Sequence, residues 1–141
     1  MNKVFGALLS ITIILSGCDK KEEGIPPINN ECFFNTILDS TQISNRLLGK
    51  WKWQYSFSGW TSVYSDEANK GLVLEFKTGG VLVVSRNGVV EQTANWTLQR
   101  EWQIVTEPLI IETLGPVHFC NSQLLFQGGA LDGTNNYYKK E

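Results

Sequence analysis

The chain has 141 residues, 12 of them basic and 14 acidic, which gives a formal net charge of −2. This balance excludes the strongly basic face that nucleic-acid-binding domains carry. Hydrophobic residues make up 42% and aromatic residues 11% of the chain, which excludes disorder along its whole length and favours one ordinary domain with its own core.

The first eighteen residues are typical of an export signal. Lys3 precedes an apolar run, Val4 to Leu15, that is shorter than the about 20 residues of a membrane-spanning helix. The run ends in Leu15-Ser16-Gly17-Cys18, which resembles the lipobox of bacterial lipoproteins. The resemblance implies that residues 1–17 are a signal peptide and that Cys18 carries the lipid. The alternative is an ordinary signal peptide with an incidental cysteine.

Residues 18–35 are expected to be the lipidated cysteine and a tether. The sequence is charged after Cys18 and then rich in proline, so it lacks the side chains of a core. Lys21-Glu22-Glu23 resembles the surface-export signals of Bacteroidetes lipoproteins, and a solvated charged linker is the alternative. Two or more lipid chains anchor a protein stably. We therefore expect a cell-envelope protein held by its lipid on the outer membrane, on either the periplasmic or the surface face.

The two remaining cysteines, Cys32 and Cys120, are expected to form a disulfide, because an exported protein meets oxidising surroundings. A bridge closing so long a loop would contribute about 4 kcal/mol if it is unstrained. The alternative is two unrelated buried thiols.

A short helix is predicted over residues 39–48. Asp39 can cap it with Gln42 in the capping-box position, and Gly49 ends it. Ile43 and Leu47 fall on one face, four residues apart, so the helix can pack against a larger element.

From Gly49 onward, apolar residues alternate with polar ones, which predicts strands. The clearest alternation is in residues 51–57, and Val90, Ala94 and Trp96 also share one parity. Asn87-Gly88 is a strong hairpin signal. Further strands are predicted over 72–77, 81–85, 102–106, 109–114, 117–120, 123–127 and 136–139. Many short strands with short connections predict an all-β fold over residues 36–141, a small antiparallel up-and-down β-barrel of about eight strands with one short helix before the first.

Several short motifs in this domain resemble those of lipocalins. Leu48-Gly49-Lys50-Trp51 after a helix is similar to the lipocalin Gly-x-Trp motif, in which the tryptophan closes one end of the barrel. The run 74–81, the Asn87-Gly88 turn and the strand Asn95-Trp96-Thr97-Leu98 are similar to the small lipocalin-like lipoproteins of Bacteroidetes. The resemblance implies a lipocalin-like barrel.

A set of large apolar residues is predicted to point to one side of the sheet. They are Trp51, Trp53, Tyr55, Leu74, Phe76, Trp96, Trp102 and Phe126. They are candidates for lining a pocket for a small apolar ligand. The alternative is that they fill a small barrel, which would then act through its outer surface on a protein partner in the envelope.

Catalytic and metal-binding motifs are scarce. His118 is the single histidine, so a histidine-based metal cluster is excluded. His118 and Cys120 share a strand face, but a disulfide at Cys120 would remove the thiol as a nucleophile. We therefore expect neither an enzyme nor a cofactor or metal site. The expected function is ligand binding by a membrane-anchored lipocalin-like lipoprotein, with the filled barrel as the alternative.

Overall fold

The computed structural model describes residues 30–58, 63–65, 67–128 and 133–141. The lipobox with Cys18 and the Lys21-Glu22-Glu23 motif lie outside these residues. The helices are α1 (Asn30–Phe34) and α2 (Ser40–Leu47), and 3₁₀ turns occur at Arg100–Trp102 and Ile111–Thr113. The strands are β1 (Gly49–Ser58), β2 (Val63–Ser65), β3 (Leu72–Lys77), β4 (Val81–Arg86), β5 (Val89–Leu98), β6 (Ile104–Glu107), β7 (Val117–Cys120), β8 (Gln123–Phe126) and β9 (Thr134–Lys140).

The strands form one antiparallel sheet in the order β6-β5-β4-β3-β1-β9-β8-β7, with β2 paired to the end of β1. The sheet curls into a half-barrel, and its edge strands β6 and β7 approach each other at the bridge between Gln103 and Pro116. The prediction of an all-β, lipocalin-like fold with a short helix before the first strand is confirmed.

Helix α2 closes one end of the half-barrel. Its capping box forms as predicted, since the Asp39 carboxylate accepts from the Gln42 amide nitrogen at 2.8 Å and the Gln42 side chain accepts from the Asp39 nitrogen at 3.0 Å. Ile43 and Leu47 are buried in the main core. The Trp51 indole nitrogen donates to the carbonyl oxygen of Leu47 at 2.6 Å, which fixes the helix end against β1. We call this the closed end.

Helix α1 was not predicted, and it packs on the convex face of the sheet. Cys32 on α1 is bonded to Cys120 on β7, with 5.3 Å between their Cα atoms, so the predicted disulfide is confirmed. Phe33 is buried in a second cluster with Tyr55, Cys120, Leu125 and Tyr137. Helix α1 begins at Asn30 and buries Phe33, so ordered structure occurs within the segment expected to be a tether. Neither described helix is long and apolar enough to span a membrane.

A β-bulge at Gln54 reverses the phase of β1. Trp53 pairs with Tyr138 and Tyr55 pairs with Tyr137, so Gln54 is an extra residue in the ladder. Trp51 and Trp53 consequently face the concave core, whereas Tyr55 belongs to the convex cluster. Strict alternation had predicted Tyr55 on the same side as Trp51 and Trp53, and the bulge makes that prediction wrong.

A second bulge in β5 has the same effect on Val90. Val84 pairs with Gln92 and Ser85 with Val90, which leaves Glu91 as the extra residue. Val90 is 61% exposed, whereas Ala94 and Trp96 are buried as predicted. Both bulges lie in the half of the sheet remote from α2, which we call the open end.

The segment predicted as a strand over 109–114 is instead a compact turn across the open end. Ile110 is 1% exposed, inside the main core. Its amide nitrogen donates to the Thr106 hydroxyl at 2.7 Å, and its carbonyl oxygen accepts from the Thr113 hydroxyl at 2.9 Å. Because two threonine hydroxyls form hydrogen bonds with the amide and carbonyl groups of Ile110, these groups do not need a partner strand.

Candidate functional site

The structure separates the predicted ligand-binding residues into three groups. Six lie together in the concave core, namely Trp51, Trp53, Leu74, Phe76, Trp96 and Phe126. Tyr55 lies on the convex face. Trp102 is 38% exposed at the edge of the sheet, in the 3₁₀ turn before β6. The set thus does not line one common pocket.

The concave core is filled by the chain's own side chains. Phe76 and Trp96 meet edge to face with 5.4 Å between ring centroids, and Phe126 and Tyr138 meet in the same way at 5.7 Å. Ile110 packs into the same core from the open end. These contacts agree with the expectation that a small barrel is filled by side chains.

A cleft of about 410 Å³ lies at the open end, and seven of the nine residues that line it have polar side chains. It is lined by Ser56, Ser58, Ser65, Ala68, Asn69, Ile111, Glu112, Thr134 and Asn136. We call it the open-end cleft. Only Ala68 and Ile111 among these residues are apolar, so the cleft offers a ligand several hydrogen-bonding groups, although carbon atoms form the larger part of its surface.

The bulge in β1 creates this polar lining. Beyond Gln54, the aromatic side chains of Tyr55 and Phe57 turn to the convex cluster. Ser56 and Ser58 therefore line the cleft, beside Asn136 and Thr134 on the paired strand β9. Small hydroxyl side chains thus stand where uninterrupted alternation would have placed two large rings.

A buried hydrogen-bond chain fixes the floor of the cleft. The Trp53 indole nitrogen donates to the Ser56 hydroxyl oxygen at 3.1 Å, and the Ser56 hydroxyl donates to the Asn136 side-chain oxygen at 2.6 Å. Ser56 is 5% exposed, so its hydroxyl needs these partners. The chain occupies the oxygen of Asn136 and leaves the donating NH₂ group of its carboxamide for other contacts.

Glu112 supplies a charge at the rim of the cleft. It belongs to the 3₁₀ turn Ile111–Thr113, and its carbonyl oxygen accepts from the Tyr138 hydroxyl at 3.4 Å. Among the described residues, no side chain pairs with the Glu112 carboxylate. Burial, reinforced by the nearby charge of Glu112, raises the pKa of Tyr138 above its ordinary value, so this phenol remains a neutral donor.

A second lobe of about 500 Å³ adjoins the cleft and shares Ile111, Thr134 and Asn136 with it. Its other lining residues are Gln103, Leu114, Gly115, Pro116, Gly128 and Gly133. None of these carries a charge.

In the described part of the chain, no three His, Cys, Asp or Glu side chains are grouped as metal ligands. His118 lies apart from the cleft, on β7. Its Nε2 is 2.9 Å from the side-chain oxygen of Gln127, and burial lowers its pKa. Because Cys120 is in the disulfide, the pair of His118 and Cys120 lacks a free thiol.

Sequence reasoning missed the residues that form the cleft. Ser56 and Asn136 are 80 positions apart in the chain, and their contact depends on the pairing of β1 with β9. Glu112 reaches them through a turn that was predicted to be a strand. The sequence feature that could have indicated the cleft is the excess of polar side chains at the end of β1 and the start of β9.

Comparisons with protein-family models, with curated proteins and with solved structures find no match for this chain.

Proposed function

We propose that this chain is a lipid-anchored, lipocalin-like binding protein of the bacterial cell envelope, and that it holds a small polar molecule in the open-end cleft without chemical conversion. The observation that carries the proposal is the cleft of about 410 Å³, because small-molecule sites begin at about 300 Å³. Its preformed floor of Trp53, Ser56 and Asn136 supports the same proposal, since fixed polar groups orient a ligand.

The anchor is supported by the N-terminal sequence and by the disulfide. Leu15-Ser16-Gly17-Cys18 resembles a lipobox, and the Cys32–Cys120 bridge suits an oxidising compartment such as the periplasm or cell surface. In cells grown with labelled palmitate, we expect the label in the wild-type protein and none in Cys18→Ser. Label in both variants, or in neither, would contradict the anchor.

The apolar ligand expected from the sequence has less support than a polar one. Six of the eight residues proposed to line its pocket pack against one another in the core. A ligand in the concave interior would have to displace Ile110 or another buried side chain. The open-end cleft needs no such displacement.

Native mass spectrometry of the protein purified from its own host's envelope tests the binding function. We expect a reproducible added mass that is lost on denaturation and in Thr134→Phe, which fills the cleft. Thr97→Phe is the matched control, since Thr97 is also exposed on a strand but lies on β5 and outside the cleft lining. An added mass that persists in Thr134→Phe would place the ligand elsewhere.

A second candidate function is binding a protein partner through the open end. Five large apolar side chains are exposed there, namely Val89, Val90, Leu109, Ile111 and Leu114. Exposed apolar groups of this kind mark interaction surfaces when they are contiguous. A bare mass, combined with a cross-linked envelope protein that is lost in Leu109→Ser/Ile111→Ser, would favour this candidate over ligand binding.

A further inference from the structure

We infer that the ligand of the open-end cleft is a hydroxylated molecule with one positively charged amine, as in an amino sugar or amino alcohol, and that Glu112 binds the amine. This inference rests on the proposed ligand-binding function and specifies the chemical class of the ligand. It follows from the charges and the hydrogen-bonding groups of the cleft.

The charge of the cleft favours a cationic ligand. Glu112 is the one ionisable side chain among the described residues that line the cleft. The nearby cations already have carboxylate partners, since Lys70 Nζ is 2.8 Å from Glu67 and Arg86 Nε is 3.1 Å from Glu91. A ligand amine could therefore pair with Glu112 without competing against a cation of the protein, whereas an anionic ligand would be repelled.

The backbone of Glu112 is held in place at the rim of the cleft. Its turn is fastened to the core by Ile110 and by the Thr113 hydroxyl, which donates to the Ile110 carbonyl oxygen at 2.9 Å. The Tyr138 hydroxyl contacts the carbonyl oxygen of Glu112 itself. Because the backbone is held on both sides of Glu112, its half-buried side chain starts from a fixed point at the rim of the cleft, which reduces the ordering cost of binding.

The hydrogen-bonding groups of the cleft favour a hydroxylated ligand. The NH₂ group of Asn136 is oriented by the bond from Ser56, and the hydroxyls of Ser58 and Thr134 have no partner among the described residues. Amide and hydroxyl donors match the oxygens of a polyhydroxylated ligand, and hydroxyls also accept in return. A simple alkylamine would leave these groups without partners inside the cleft.

Calorimetric titration at low ionic strength and pH 6 tests this inference with three related probes. D-glucosamine carries a positive charge, D-glucose is neutral, and D-glucuronate is negative. The full mature protein is kept in an uncharged detergent without a sugar headgroup. We expect glucosamine to bind about 10-fold more tightly than glucose, because one charge-assisted hydrogen bond is added, and glucuronate to bind most weakly.

Glu112→Gln should remove the preference for glucosamine over glucose, because its carboxamide carries no charge to pair with the amine. Glu107→Gln is the matched control, since Glu107 is exposed on β6 and outside the cleft lining, and it should retain the preference. Equal thermal melting of the two variants would show that folding is unaffected. Added salt should reduce the preference because it screens the charge pair.

Two outcomes would overturn the inference. Equal affinity for glucosamine and glucose, with both lost in Thr134→Phe, would reject the charged amine and keep the proposed ligand-binding function. No measurable binding of any of the three probes would reject this ligand class, and an added mass in the native spectrum would then show that the binding function itself survives.

Discussion

The closed and open ends of the half-barrel are built from the same strands but differ in chemistry. At the closed end, β1 contributes Trp51, which lies in the main core and bonds to the last turn of α2. At the open end, the same strand contributes Ser56 to the polar floor of the cleft, and β9 contributes Asn136. One end is closed by apolar packing, and the other presents polar side chains in a cleft.

The difference arises from one extra residue. Gln54 shifts the register of β1 against β9, and the shift exchanges the side chains that face the two surfaces of the sheet. The apolar closed end and the polar open end can therefore share one strand. A substitution at one end should therefore leave the other end unchanged, and an effect on both would show that the two ends are coupled.

The largest expected effect comes from the disulfide, which restrains the convex face. Replacing Cys32 and Cys120 by alanine should lower the free energy of unfolding by about 4 kcal/mol, because the unfolded chain gains the entropy of a loop spanning 88 positions. Urea unfolding measures the loss. The folded fraction of this variant should bind ligand as tightly as the wild type does. A change in affinity would show that the convex face and the open-end cleft are coupled.

Trp51→Ala should have the next largest effect, about 3 kcal/mol or more, because it removes a fully buried indole and its bond to α2. Trp102→Ala is the control, since that indole is partly exposed, and should cost about 1 kcal/mol. Ligand affinity of the folded protein should be the same in both variants. A large loss of affinity in Trp51→Ala would show that the two ends are coupled.

Ser56→Ala should cost about 2 kcal/mol, because the buried indole nitrogen of Trp53 loses its acceptor. It should also weaken ligand binding, since Asn136 is no longer oriented. Ser58→Ala deletes the same group at a site without an intramolecular partner, so we expect a stability change within about 0.5 kcal/mol. Equal effects of the two changes on stability would reject the hydrogen-bond chain.

The sequence was sufficient where the determinants are local. The capping box of Asp39 and Gln42 involves residues three apart, and Asn87-Gly88 forms its hairpin turn with both residues at positive φ, as predicted. The sequence was insufficient where the position of a side chain depends on residues far away in the chain. The bulge at Gln54 is defined only against β9, and Ile110 is buried because the rest of the barrel provides the space. The cleft combines both kinds of long-range feature, which explains why its residues were not predicted.

The smallest expected effect tests on which face Tyr55 lies. Burial, with the neighbouring phenols of Tyr137 and Tyr64, raises the pKa of Tyr55 to about 12, and its ring stacks on that of Tyr137 at 4.6 Å. The unfolded chain ionises this phenol near pH 10, so the free energy of unfolding should fall as the pH rises from about 10 to about 12. Between pH 9 and pH 11 the contribution of Tyr55 is about 1 kcal/mol. Urea unfolding of the wild type and of Tyr55→Phe at both pH values measures it, and the wild type should lose more stability. Equal losses of stability in the wild type and in Tyr55→Phe would mean that Tyr55 titrates normally. A phenol that faced the solvated open end would behave in this way, so that result would argue against the reversal of phase at Gln54.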